Sequence, residues 1–113
     1  MTNWLVSRHP GAVEWIRQQN ISIDQQVAHL DIEQVHAGDC VIGTLPIQLA
    51  AEICARGARY LHLSVQLPFE LRGQELDSST LDKLGARLEE FVVNSRVTAV
   101  DPLPAPPKPQ SMA

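Results

Sequence analysis

Apolar and polar positions follow two rhythms along this chain, and their order predicts the fold. Asn3 to Ser7 reads as a short strand, and Pro10 then suits the first turn of a helix, where its missing N–H would be unpaired anyway. That helix runs through Gly11 to about Gln19, with Ala12, Val13, Trp15 and Ile16 as its inward stripe and Glu14, Arg17 and Gln18 facing out. Trp15 is expected in the core against a sheet. Gln26 to Leu30 reads as a second short strand, and Asp31 to Asp39 as a polar connection ending in the turn chemistry of Ala37-Gly38-Asp39. Cys40-Val41-Ile42-Gly43 is a continuous apolar run, as expected of a central parallel strand covered on both faces.

Thr44-Leu45-Pro46 leads into a helix from Ile47 to Arg56, with Ala50, Ile53 and Cys54 inward and Gly57 placed to cap its end. From Arg59 to Leu67, Leu61, Leu63, Val65 and Leu67 alternate with Tyr60, His62, Ser64 and Gln66, which predicts a strand with one apolar and one polar face. Ser79-Thr80-Leu81-Asp82 resembles a capping box, and Leu81, Leu84, Leu88, Phe91 and Val92 predict a last long helix reaching about Asn94. Prolines at 102, 104, 106, 107 and 109 deny the C-terminal stretch both ladders and helices. There is no internal repeat. The order is therefore that of an α/β domain over residues 1–98 followed by a flexible proline-rich tail, 99–113. Right-handed crossovers would give it a mostly parallel sheet of four strands with helices on both faces.

In such sheets ligands bind beyond the carboxyl ends of the strands, where the strand order reverses. If the first and third strands are neighbours, Ser7-Arg8-His9-Pro10-Gly11 and Gly43-Thr44-Leu45-Pro46 form two lips of one crevice. Each lip precedes a helix N-terminus, whose unpaired N–H groups and partial positive charge favour anions. Arg8 could clamp a phosphate in fork geometry, or pair with a surface carboxylate. His9 could give and take a proton at neutral pH, or only cap its helix. Thr44 adds a hydroxyl, and Gly43 allows close backbone approach. Arg72 leaves the fourth strand at the same edge with Glu70 beside it, either to reach the crevice or as a loop ion pair. His62 could meet a two-fold partner or face solvent, whereas His29 and His36 have no partner pattern. Neither Gly-x-x-x-x-Gly-Lys nor Gly-x-Gly-x-x-Gly occurs, which argues against ATP and NAD.

Composition narrows the ligand. The chain has 113 residues, 44% apolar and 19% charged, which is one ordinary globular domain. A formal net charge of −4 argues against coating long DNA or RNA but not against gripping one small phosphate ligand. No basic segment followed by a long apolar run opens the chain, so a cytoplasmic protein that crosses no membrane is expected. Cys40 and Cys54, the two cysteines, sit among apolar neighbours and are expected to be buried, reduced thiols. Neither has a close Cys or His at ligand spacing, so no metal and no cofactor are expected.

Four blocks in order, Ser7 to Ala12, Val41 to Pro46, Leu49 to Ala58 and Glu70 to Gly73, closely resemble a small CRISPR-associated family, the sixteenth of the Csx series. The resemblance covers roughly residues 3 to 95. It implies an accessory protein of type III CRISPR systems, a ring nuclease that linearises cyclic tetra-adenylate and so switches off the effectors this messenger activates. Such proteins look like compact relatives of the Rossmann-like CARF domains and are expected to act as homodimers. The implied chemistry is metal-independent: a ribose 2′-OH attacks the adjacent phosphorus and leaves a 2′,3′-cyclic phosphate. On this resemblance Arg8 stabilises the developing charge, His9 assists proton transfer, and Thr44 with the nearby amides holds phosphate oxygens. Ser7, Pro10, Gly11, Gly43, Leu45, Pro46 and Arg72 would complete the binding site. An Arg-His pair after a first strand also resembles the Arg-His-Gly motif of histidine phosphatases, but Pro10 interrupts it and the chain is too short for that fold. Two further readings stay open: a protein that sequesters the ring without cleaving it, and an interaction protein whose proline tail docks a partner.

Overall fold

The computed structural model describes residues 1–95, so the predicted tail at 99–113 lies outside the described residues. Its elements are β1 (Asn3–Val6), α1 (Pro10–Arg17), β2 (Gln25–Val27), β3 (Cys40–Gly43), α2 (Ile47–Ala55), β4 (Arg59–Ser64), α3 (Ser78–Lys83) and β5 (Arg87–Phe91). The sheet order is β2-β1-β3-β4-β5, with the first four strands parallel and β5 antiparallel to β4. Among the described residues no helix is long and apolar enough to cross a membrane.

The central strands read as apolar runs because both of their faces are covered. Trp4, Val6, Val41 and Tyr60 form one core with Ala50 and Ile53 of α2, while Leu5 and Ile42 form the other with Ala12, Trp15 and Ile16 of α1 and Leu81 of α3. Helices thus cover both faces, as the alternation predicts, and Trp15 is buried where expected. Its indole N–H reaches the Asp82 carboxylate at 3.5 Å, which ties α1 to α3.

The C-terminal third departs from expectation. In place of one long helix to Asn94 there is a six-residue helix, a glycine turn and a fifth strand. Gly85, at φ +77°, ends α3: its N–H bonds to the Asp82 carbonyl at 3.1 Å, and the Ala86 N–H bonds to the Leu81 carbonyl at 3.0 Å. This is the Schellman arrangement, in which a left-handed residue satisfies the last carbonyls and turns the chain away. Gly57 ends α2 in the same way, with Ala58 N–H on the Ile53 carbonyl at 3.2 Å. After Gly85, β5 pairs with β4 through Leu88 opposite Leu63 and Glu89 opposite His62.

Further corrections concern β4 and the cysteines. The strand ends at Ser64 rather than Leu67, and its supposed polar face is not free: Tyr60 is buried against α2, and His62 packs edge-on against Tyr60 and Phe91. Cys40 and Cys54 are free thiols but only half-buried. Burial raises the pKa of Cys40 above the ordinary thiol range. The second strand is also shorter than expected, and the polar connection after it contains a 3₁₀ turn at Ile32–Gln34 capped by the Asp31 carboxylate.

At the opposite end of the sheet from the strands' carboxyl termini, Asp39 joins the start of β1 to the turn that precedes β3. Its carboxylate accepts the Thr2 N–H (2.9 Å), the Trp4 indole N–H (3.2 Å) and the His36 N–H (3.0 Å), and the residue is 3% exposed. Burial pushes its pKa up, but the donors from His36, Thr2 and Trp4 outweigh that and hold it below the usual carboxylate range. Asp39→Ala is expected to cost about 3 kcal/mol, because three buried donors lose a charged acceptor. A depressed folded-state pKa contributes stability above the unfolded value of about 4, lost as pH falls through the folded value. Urea unfolding of the parent and Asp39→Asn should therefore show a gap at pH 7 that narrows toward pH 3.

Candidate functional site

The chain leaves β1 through α1 toward β2 and leaves β3 through α2 toward β4, on opposite sides of the sheet. Strand order reverses between β1 and β3, and a crevice opens beyond their carboxyl ends. It holds a cavity of ≈ 800 Å³ lined by both predicted lips, Ser7 to Gly11 and Gly43 to Pro46. The lips meet because Gly43 and Val6 are opposite in register, and a Cβ on Gly43 would stand 2.7 Å from the Val6 carbonyl oxygen.

The first lip is built by local hydrogen bonds. The Ser7 N–H extends the β1–β2 ladder to the Val27 carbonyl (3.0 Å), and the Ser7 hydroxyl accepts the His9 N–H (3.2 Å). His9 is then the N-cap of α1, and its carbonyl takes the Val13 N–H at 3.1 Å. The N–H groups of Gly11 and Ala12 therefore precede the helical ladder, and both residues line the cavity. Arg8 and His9 are exposed on this lip. No hydrogen bond of the His9 ring occurs among the described residues, so capping by its side chain is not its role here.

The second lip is pinned from below. The Tyr60 hydroxyl accepts the Leu45 N–H at 2.9 Å and lies 3.3 Å from the Gly43 carbonyl and 2.7 Å from His62 Nδ1. One O–H and two lone pairs serve all three if Tyr60 donates to Gly43 and accepts from Leu45 and from an Nδ1-protonated His62. Burial pushes the phenol up, against the Leu45 N–H, so it keeps its proton at neutral pH. Thr44 reaches the Leu63 carbonyl at 3.5 Å. Tyr60→Phe is expected to leave the Leu45 N–H without its acceptor and cost about 1 to 3 kcal/mol. Thermal unfolding measures that cost, and faster amide exchange at Leu45 would localise it.

The rest of the cavity is a wall the sequence did not reveal. Leu63 of β4 is joined by Val65 and Leu67 just beyond that strand, Gln74 to Asp77 lead into α3, and Ala28 and His29 follow β2. The wall sits close because Gly11 has no side chain: a Cβ there would lie 1.8 Å from the Leu76 carbonyl oxygen. The cavity thus combines apolar side chains, Leu63, Val65, Leu67 and Leu76 among them, with Arg8, His9, Thr44 and the residues that carry the free helix amides. Glu14, Glu75 and Asp77 also border it. The Asp77 carboxyl is held below its usual range by the Thr80 hydroxyl and by the Thr80 N–H, which donates at 2.7 Å.

Arg72 lies elsewhere. It follows the 3₁₀ turn Phe69–Leu71, is exposed, and is not among the residues that line the cavity; nor is Glu70. The other predicted site residues, Ser7, Arg8, His9, Pro10, Gly11, Gly43, Thr44, Leu45 and Pro46, are brought together. Among the described residues no three His, Cys, Asp or Glu side chains group in a way that could hold a metal ion.

A family model described as "Putative CRISPR-associated protein (Cas_VVA1548)" matches residues 4–94. No curated protein and no solved structure matches the chain.

Proposed function

This chain belongs to the CRISPR-associated family Cas_VVA1548, and from that premise we propose that it is a ring nuclease that linearises cyclic tetra-adenylate in type III CRISPR defence. The family membership supports the CRISPR setting, and the resemblance of the four sequence blocks supports the messenger. The observation that carries the phosphate chemistry is that Arg8, His9, Gly11, Ala12 and Thr44 line a single cavity. Its apolar lining residues, such as Leu63, Val65 and Leu67, suit a flat base, so one crevice offers groups for both parts of a nucleotide. A strand order that reverses between the first and third strands favours a compact CARF-like, Rossmann-like reading of the fold. A two-fold homodimer would present two such crevices to a symmetric ring.

In this mechanism the substrate supplies its own nucleophile. The 2′-OH attacks the adjacent phosphorus in line, the P–O5′ bond breaks, and the product ends in a 2′,3′-cyclic phosphate and a 5′-OH. The protein aligns these atoms and stabilises the charge growing on the phosphoryl oxygens. Arg8 serves that charge, the amides and Thr44 hold the non-bridging oxygens, and His9 moves a proton.

The same lining would also hold the messenger in a protein that binds it without cleaving it. Chromatography of excess cyclic tetra-adenylate after incubation with protein and EDTA separates the two. More than one ring linearised per dimer supports the ring nuclease; intact ring recovered in full supports sequestration.

A further inference from the structure

In-line transfer places the attacking O2′ and the leaving O5′ on opposite sides of phosphorus, so one imidazole cannot serve both. His9 accounts for one proton, and a second histidine, His29, lines the same cavity. We infer that His29 is the second proton-transfer residue of this crevice, an inference that rests on the reading of the protein as a ring nuclease.

The placement follows from the parallel pairing of β1 and β2. Val6 stands opposite Val27, and the Ser7 N–H donates to the Val27 carbonyl one step beyond the end of β1. Both chains then leave the ladder at the same sheet edge, His9 two residues after Ser7 and His29 two residues after Val27. Both histidines line the same ≈ 800 Å³ cavity, and both are exposed. Among the described residues the histidine ring that makes a hydrogen bond is that of His62, which leaves both His29 nitrogens available to a ligand. The other ionisable side chains of that cavity are Arg8 and Glu14 from the α1 side and Glu75 and Asp77 from the α3 side. The Asp31 carboxylate, two residues along from His29, is engaged with the Glu33 N–H at 3.1 Å.

The step balances without a further reagent. One imidazole takes the 2′-OH proton as the P–O2′ bond forms, and the other gives its proton to O5′ as the P–O5′ bond breaks. The pair ends with its protonation exchanged, and open access to water resets it. A general base and a general acid acting in one step give a bell-shaped pH–rate profile.

The test measures the rate of cyclic tetra-adenylate linearisation from pH 5 to 9 for the parent, His9→Ala, His29→Ala and His29→Gln. The expected result is a loss of about a hundredfold or more for each His29 variant, with one limb of the bell absent, and absence of the other limb in His9→Ala. A ring analogue carrying sulfur in place of the bridging O5′ needs no proton on its leaving group. It should restore near-parental rates to the variants of whichever histidine is the acid, a rescue that no structural role predicts. His29 variants that match the parent in rate and in both limbs overturn the inference, as do slow variants that keep both limbs with no rescue in either histidine. A parent that leaves the ring intact overturns the ring-nuclease reading itself, and the inference with it.

Discussion

Arg8→Ala is expected to slow linearisation of cyclic tetra-adenylate about a hundredfold, equivalent to ~3 kcal/mol of barrier, while thermal unfolding stays within a degree or two of the parent. The two effects separate because of where Arg8 sits. It stands after the last residue of β1 and before the first of α1, exposed and outside both cores, so its loss removes no packing. Substitutions at such positions usually change stability by less than about 0.5 kcal/mol. The phosphodiester is already a monoanion, but its second negative charge develops only as the phosphorus becomes five-coordinate, so the loss of Arg8 should appear in the rate under saturating ligand more than in binding. Arg8→Lys keeps the charge without the planar fork and should recover part of the rate. Single-turnover kinetics of the three proteins, beside their melting curves, checks this. An alanine variant within threefold of the parent would remove Arg8 from the mechanism.

The two lips of the crevice were legible because they depend on local sequence. A strand, a polar turn with proline, and an amphipathic helix follow one another twice, and parallel pairing of β1 with β3 brings the turns together. The parts that sequence missed come from tertiary contact or from ambiguous periodicity. Leu81, Leu84 and Leu88 fit a helical stripe, yet Leu88 also sits at the inward position of a strand, opposite Leu63. Gly85 decides between the two, by the same cap that Gly57 makes after α2, but a single glycine inside a helical pattern is a weaker signal than one at its end. Tyr60 looked like the polar side of an alternating strand because its hydroxyl was counted and its ring was not. The ring is core, and the hydroxyl finds the Gly43 carbonyl and the Leu45 N–H. His29 had no spacing partner because its relation to His9 is set by strand pairing, not by sequence distance. The Gln74 to Asp77 wall left one trace, the glycine at position 11.

That glycine is the basis of the largest stability effect expected in the site. Gly11→Ala should destabilise the fold by about 2 to 3 kcal/mol, lowering the melting temperature by roughly 10 °C or more. Two terms of opposite sign compete. Alanine in a helix is favoured over glycine by about 1 kcal/mol in a helix interior, and by less in the first turn where Gly11 lies. Against this, the new methyl would lie 1.8 Å from the Leu76 carbonyl oxygen, 2.9 Å from its carbon and 3.0 Å from Asp77 Cα. These are backbone atoms, so no side chain can rotate away, and the Gln74 to Asp77 segment must move as a unit. That movement strains the Asp77 cap of α3 and loosens Leu81 and Trp15, which share a core behind it. The cavity wall would retreat with the segment, so weaker capture of cyclic tetra-adenylate should accompany the lower melting temperature. Calorimetry and ligand titration on the same sample test both. A variant more stable than its parent would mean that helix propensity outweighs the clash.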